Sequence, residues 1–160
     1  MNQIIKAVNE PIKSYKSGSS ERISLQAKYD EMAGQTIEIP LIIGGKDITT
    51  GDTDNCVMPH DHGHILATYH KGGENEVKLA VNSAMDRWKS WSRTSLDERA
   101  AIFRKAAELL QGPWRDTINA ATMLNQSKNA FQAEIDSACE LIDFFNFNAQ
   151  YAEEIYENQP

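Results

Sequence analysis

Apolar side chains recur with helical spacing through the last part of the chain. Between Phe131 and Pro160 there is no glycine, lysine or arginine, and Ile135, Cys139, Ile142, Phe145, Ala149, Ala152 and Tyr156 fall three to four residues apart. That is one face of a helix. Phe131, Ala138, Leu141, Phe144 and Phe147 widen the face, so the helix needs neighbours on more than one side. Asn129 with Gln132 three residues later predicts its N-cap. Three further helices are predicted before it. The first, over Asn75–Ser92, has Val77, Ala80, Val81, Ala84, Met85, Trp88 and Trp91 on one face, with both tryptophans read as packed. The second opens on the capping box Ser95-x-x-Glu98, is expected to bury Ile102, Phe103, Ala106, Leu109 and Leu110, and is stopped by Gly112-Pro113. The third takes Pro113 as its first residue and places Trp114, Ile118, Ala121 and Leu124 inside.

The first half has a different texture. Residues 1–35 are polar, with a helix predicted from Ser20 to Met32 and ended by Gly34. Ile37, Ile39, Leu41 and Ile43 then alternate toward Gly44-Gly45, and Lys46-Asp47-Ile48 follows, a short hairpin or meander. A second strand pair is expected at Asn55–Met58 and His64–Tyr69 around a Pro59–Gly63 turn, closed by Gly72-Gly73. The organisation is therefore an N-terminal polar and helical extension over 1–35, short strands over 36–73, and four helices over 74–160. This is a mostly α-helical body with a small β-meander.

Composition narrows the function classes. With 160 residues, 41% of them hydrophobic and 24% charged, the chain suits an ordinary soluble globular protein. No apolar run approaches the ~20 residues a bilayer span requires, so no membrane partner is expected. The N-terminal stretch has no signal-peptide pattern, which makes the cytoplasm the expected location. The net charge of -7 comes wholly from the last 28 residues, which hold seven acids and no base. This bias is opposite to that of a nucleic-acid binder. Those carboxylates read as a solvated outer face, with Glu153 expected to be inert.

Candidate chemistry is sparse. Cys56 and Cys139 are too far apart in sequence for a CxxC motif; both are read as reduced, with Cys139 packed. Neither suits a nucleophile, which needs a nearby cation to lower its pKa. No GxGxxG or P-loop pattern is present, and Gly44-Gly45 and Gly72-Gly73 read as turns. His60, Asp61, His62 and His64 lie on one tight turn, where neighbouring ligands converge poorly, so no metal is expected.

Several of these segments carry a resemblance. The stretch QAEIDSACELIDFFNFNAQYAEEIYENQP, together with Asn9-Glu10-Pro11, Gly18-Ser19-Ser20-Glu21-Arg22, Pro59 with His62-Gly63-His64, Glu98-Arg99-Ala100, Lys105-Ala106-Ala107, Gly112-Pro113 and Gln126-Ser127-Lys128, resembles the delta-1-pyrroline-5-carboxylate dehydrogenases of the aldehyde dehydrogenase superfamily. The resemblance covers essentially the whole chain; His60 departs from it. It implies an α/β parent fold, of which residues 74–160 are an incomplete part of the dinucleotide-binding half. It also implies NAD-dependent oxidation of L-glutamate gamma-semialdehyde to glutamate in proline breakdown, in a homo-oligomeric enzyme. The small-molecule substrate, the NAD site, the catalytic cysteine and the general base would belong to the remainder of the dehydrogenase. This chain alone is thus expected to be inactive, with no catalytic, cofactor-binding or metal residue of its own. Glu140 matches an acidic residue facing the aldehyde tunnel; the plainer reading is a solvated helix glutamate. A non-catalytic helical interaction module is the alternative for the chain as a whole.

Overall fold

The computed structural model describes residues 5–159; Pro160, which closes the resembling stretch, and the first four residues lie outside the described residues. Helix α1 spans Ser20–Ala33, capped by the Ser19 hydroxyl and ended at Gly34. Five short strands follow: β1 (Ile37–Ile39), β2 (Leu41–Ile43), β3 (Lys46–Ile48), β4 (Thr53–Met58) and β5 (Asp61–His70). Helices α2 (Glu74–Trp91), α3 (Leu96–Gln111) and α4 (Arg115–Gln126) come next. The expected long helix is broken into α5 (Ala130–Ala133), a π-helical stretch (Glu134–Cys139) and α6 (Glu140–Glu157).

The strands are present but do not form one meander. β1 pairs in parallel with β5, Ile37 opposite Ala67 and Ile39 opposite Tyr69, while β4 lies antiparallel on the other side of β5. β2 and β3 make a separate hairpin. Pro40 separates β1 from β2; it has no N–H for a ladder, so the alternating run from Ile37 to Ile43 is divided between two sheets. The β4–β5 connection is also tighter than the Pro59–Gly63 turn predicted, because β5 already begins at Asp61.

The β2–β3 turn needs its glycines. Gly44 and Gly45 sit at φ +60° and +75°, a region costly for residues with a Cβ. A Cβ on Gly44 would also stand 2.9 Å from the Ser83 hydroxyl of α2, whereas one on Gly45 would meet open space. Gly44→Ala should therefore destabilise the chain by roughly 1–2 kcal/mol, and Gly45→Ala by roughly the backbone share alone, about 1 kcal/mol. Urea unfolding of the two variants checks this; equal losses would show that the approach to Ser83 costs nothing.

Small residues dominate where the helices meet. One buried cluster joins Tyr15, Leu25 and Ala120, bordered by Tyr29, Met32 and Met123. The other joins Ala107, Ala138 and Ile142, bordered by Leu110, Ile118 and Phe145. Alanines let α3 and α6 approach closely, and this displaces the expected inner faces. Helix α3 buries Ala100 and Ala107, while Ile102, Phe103 and Leu109 are exposed. Phe103 still meets Phe145, with ring centroids 5.9 Å apart. Helix α2 buries no residue, and Trp88 and Trp91 are 59% and 43% exposed, contrary to the packed reading. The periodicity identified the apolar face of α2; nothing among the described residues covers it.

Helix α4 also starts later than predicted. Pro113 and the exposed Trp114 lie in the turn, where the Trp114 N–H donates to the Leu109 carbonyl at 3.0 Å and so closes the end of α3. Among the described residues no helix is long and apolar enough to cross a membrane.

Candidate functional site

Helix α4 turns an unexpected face inward. Beside Ala120 and Leu124 it buries Arg115, Asn119 and Thr122. Arg115 and Asn119 are four residues apart and therefore share one side of the helix. Opposite them lies Glu134, the first residue of the π-helical stretch, at 0% exposure against 2% for Arg115 and 0% for Asn119. The expectation of a solvated outer face for all seven C-terminal acids fails at Glu134, which is fully buried. A buried carboxylate must be paired and hydrogen-bonded, and this one is held by donors from both the N-terminal segment and α4. Glu134 Oε1 accepts from the Lys13 N–H at 2.8 Å, and Oε2 accepts from the Tyr15 hydroxyl at 2.8 Å, from Asn119 Nδ2 at 2.9 Å and from Arg115 Nε at 3.2 Å. Arg115 Nη2 also pairs with Oε1, Arg115 Nη1 pairs with Glu10, and Nη2 donates to the Pro11 carbonyl at 2.9 Å.

The network sets its own protonation states. Burial alone would push the Glu134 carboxyl up. The hydrogen bonds from Arg115, the Lys13 N–H, Tyr15 and Asn119 outweigh burial and hold it down at about 2. Burial, then Glu134, pushes the Tyr15 hydroxyl above its ordinary value. Burial lowers the affinity of Arg115 for its proton, but the hydrogen bonds to Glu134 and Glu10 more than reverse this, so the guanidinium stays charged. Tyr15 occupies φ +51°, a conformation a bulky residue holds only where its surroundings enforce it. The clamp on its hydroxyl supplies that constraint.

Cys139 lies within the same network. It is buried, as a packed position requires, and its sulfur is 3.7 Å from Glu134 Oε1 and 3.4 Å from Arg115 Nη2. Burial and the Glu134 charge push its thiol up to about 11, so it is a neutral thiol at pH 7. Cys56 is half-buried on β4, with Sγ 3.4 Å from Asn125 Oδ1.

Other acids of the last helix also hold structure. Asp143 accepts from Asn9 Nδ2 and from the Glu10 N–H, each at 2.7 Å. Glu153, expected to be inert, takes a bidentate pair from Arg104 with both N···O distances 2.7 Å. Glu140 is different: it opens α6 on the residue after the π-helical stretch and is exposed. The geometry does not bring it into the buried network.

The histidine turn is dispersed. His60 Nδ1 meets the Ser127 hydroxyl at 2.7 Å, and His62 and His64 lie along β5. Among the described residues no group of three or more His, Cys, Asp or Glu side chains is arranged to hold a metal ion. The histidine with a built environment is His70, which sequence reasoning passed over. Its Nδ1 accepts from the backbone N–H groups of Thr50 and Gly51 at 3.1 and 3.3 Å, which leaves Nε2 to donate to Glu38 at 2.7 Å. At the start of α2 the Gly73 N–H is taken by the Glu76 carboxylate at 2.8 Å. That places a negative side chain at the N-terminus of the helix, where an anion would otherwise be favoured.

Residues 48–160 match the aldehyde dehydrogenase family. The chain belongs to that family. Among curated relatives, the chain is 46% identical over 153 residues to the delta-1-pyrroline-5-carboxylate dehydrogenase of Agaricus bisporus, covering 95% of the chain and 28% of the relative. It is 40% identical over 156 residues to the human mitochondrial enzyme of that name, covering 98% of the chain and 28% of the relative. Its fold superposes on the Mycobacterium tuberculosis delta-pyrroline-5-carboxylate dehydrogenase, crystallised with NAD, at a TM-score of 0.97 and 42% identity, over 100% of the chain and 30% of that structure. The chain thus spans somewhat more than a quarter of the length of these relatives.

Proposed function

We propose that this chain forms part of an NAD-dependent dehydrogenase that oxidises L-glutamate gamma-semialdehyde to L-glutamate in proline breakdown. The supporting observation is that the likeness to enzymes of this one name runs along nearly the whole chain, in sequence and in backbone alike. Aldehyde oxidation of this kind needs a thiolate, oxyanion donors, a carboxylate to activate water and a bound nicotinamide. The neutral, buried Cys139 and the carboxylate-blocked start of α2 fit neither the thiolate nor the cofactor site. In this reading the nucleophile and the NAD site are supplied by the rest of a homo-oligomeric enzyme acting in the cytoplasm. Residues 1–35, 36–73 and 74–160 serve as its extension, small sheet region and helical framework. Since relatives from Homo sapiens and Dictyostelium discoideum carry "mitochondrial" in their names, cell fractionation is the test of compartment.

Glu140 is the residue of this chain we assign to the aldehyde tunnel, as a carboxylate that supports a substrate-contacting group. Its exposure beside a fixed helical turn is compatible with that role. In a complete enzyme carrying this segment, Glu140→Ala should lower turnover of glutamate semialdehyde roughly ten- to a hundredfold, the equivalent of about 1.5–3 kcal/mol. The melting temperature should hardly change. Glu157→Ala is the control, because Glu157 is exposed near the end of the same helix and such a site shifts stability by no more than about 0.5 kcal/mol. Glu153 is unsuitable, being paired with Arg104. Indistinguishable kinetics for the two variants would remove Glu140 from the site.

A further inference from the structure

The break in the last helix has a specific geometry. In an α-helix, residues five apart point roughly 140° away from each other. Yet Ala133 and Ala138 are both buried, and so are Glu134 and Cys139, each pair five residues apart. The π-helical stretch reconciles them: the Glu140 N–H donates to the carbonyl of Ile135, five residues back, which brings such pairs onto one side. π-helical turns are rare and are found frequently at functional sites, so what holds this one in place matters. The clamp on Glu134 supplies that force, with Lys13, Tyr15, Arg115 and Asn119 all converging on its two oxygens. Downstream, Ile142 and Ala149 lock the rest of α6 into the core. Between these two fixed points, the extra residue of the π turn decides the direction in which Glu140 emerges, and it emerges to the exposed side.

We infer that Glu134, gripped by Arg115 and Tyr15, is a positioning residue that sets the place of Glu140 through the π-helical turn. This inference rests on the assignment of Glu140 to the aldehyde tunnel. Glu134 touches no substrate; it acts by fixing the register of the helix from which Glu140 projects.

A double-mutant cycle in a complete enzyme tests this, with Glu134→Gln, Glu140→Ala and the pair compared by steady-state kinetics. Glu134→Gln should lower kcat/KM for glutamate semialdehyde roughly tenfold or more, as small misplacements of aligned groups do, while leaving KM for NAD unchanged. In the Glu140→Ala background the same substitution should have no further effect. Where Glu134→Gln fails to fold, Tyr15→Phe removes the 2.8 Å hydrogen bond to Glu134 together with the one the Tyr15 hydroxyl accepts from Asn119 Nδ2, leaves the Arg115 pair in place, and should show a smaller loss that likewise vanishes in the Glu140→Ala background. If the losses multiply instead, or if KM for NAD rises in step, Glu134 is merely structural and the positioning role is overturned, while the assignment of Glu140 stands. Wild-type kinetics for Glu140→Ala would sink that assignment and this inference together.

Discussion

Glu134→Ala is expected to lower the unfolding free energy of the chain by about 3–5 kcal/mol, the cost typical of breaking a buried ion pair from one side. The loss is large because the partner stays behind. Arg115 is 2% exposed and would keep a charged guanidinium with Glu10 as its remaining carboxylate. The Tyr15 hydroxyl and the Lys13 N–H would lose their acceptor in the same step, and the Asn119 amide would keep only the Tyr15 oxygen; buried donors without acceptors are themselves destabilising. The φ +51° conformation of Tyr15 would lose the contact that enforces it. Glu134→Gln, which retains an acceptor oxygen and the volume, should cost less. Urea unfolding followed by circular dichroism measures both; a loss below about 1 kcal/mol for the alanine variant would show that the clamp does not hold the N-terminal segment.

Stability should also fall on both sides of a plateau in pH. The Glu134 carboxyl titrates at about 2 when folded, against 4.5 as its ordinary value. A depressed carboxylate contributes stability that is fully present above the unfolded value and is lost as pH falls through the folded one. The contribution is about 3 kcal/mol and should disappear between roughly pH 5 and pH 2. On the alkaline side the Cys139 thiol is raised from 9.0 to about 11 by burial and then by Glu134. A raised thiol stabilises below its unfolded value and ceases to do so as pH climbs toward the folded one, so stability declines from about pH 9 upward. Denaturant midpoints from pH 2 to pH 10 read both limbs. Glu134→Gln should flatten the acid limb and Cys139→Ala the alkaline one; an unchanged acid limb in Glu134→Gln would assign acid sensitivity to other carboxylates.

Much of the secondary structure was legible along the chain because it depends on local chemistry. Ser95 with Glu98 and Asn129 with Gln132 form the capping boxes their spacing announced, with Glu98 and Gln132 reaching back to the cap N–H groups at 3.1 Å. Gly34 ends α1 and Gly44-Gly45 turn the hairpin. Segments of the family likeness, such as the Leu141–Phe145 run of α6, were legible for the same reason: they are strings of adjacent residues. Long-range partners were not. The pattern showed that α3 has an apolar side, but whether Ile102 or Ala107 lies against α6 depends on how closely two backbones approach. It showed an apolar face on α2 as well, without showing what would cover it.

The candidate site divides in the same way. Glu140 came from the likeness, and the burial of Cys139 from the helical period. Glu134 was misread because a carboxylate on an acidic helix is ordinarily solvated, and nothing near it in sequence signals otherwise. Apart from the Cys139 thiol, its partners stand 15 to 121 positions away. A faint signal did exist in Arg115 and Asn119, a polar pair at helical spacing beside Ala120. It gained meaning only when α4 was laid against the last helix. The sequence by itself determined the capped starts of α1, α3 and α5, the glycine turn between β2 and β3 and which broad family the chain joins, since each rests on residues close together in the chain. Tertiary structure alone decided that a carboxylate would be buried, that the helix would gain a π turn around it, and which direction Glu140 would take. Those outcomes depend on desolvation and on donors gathered from distant segments, and both arise only when the chain packs.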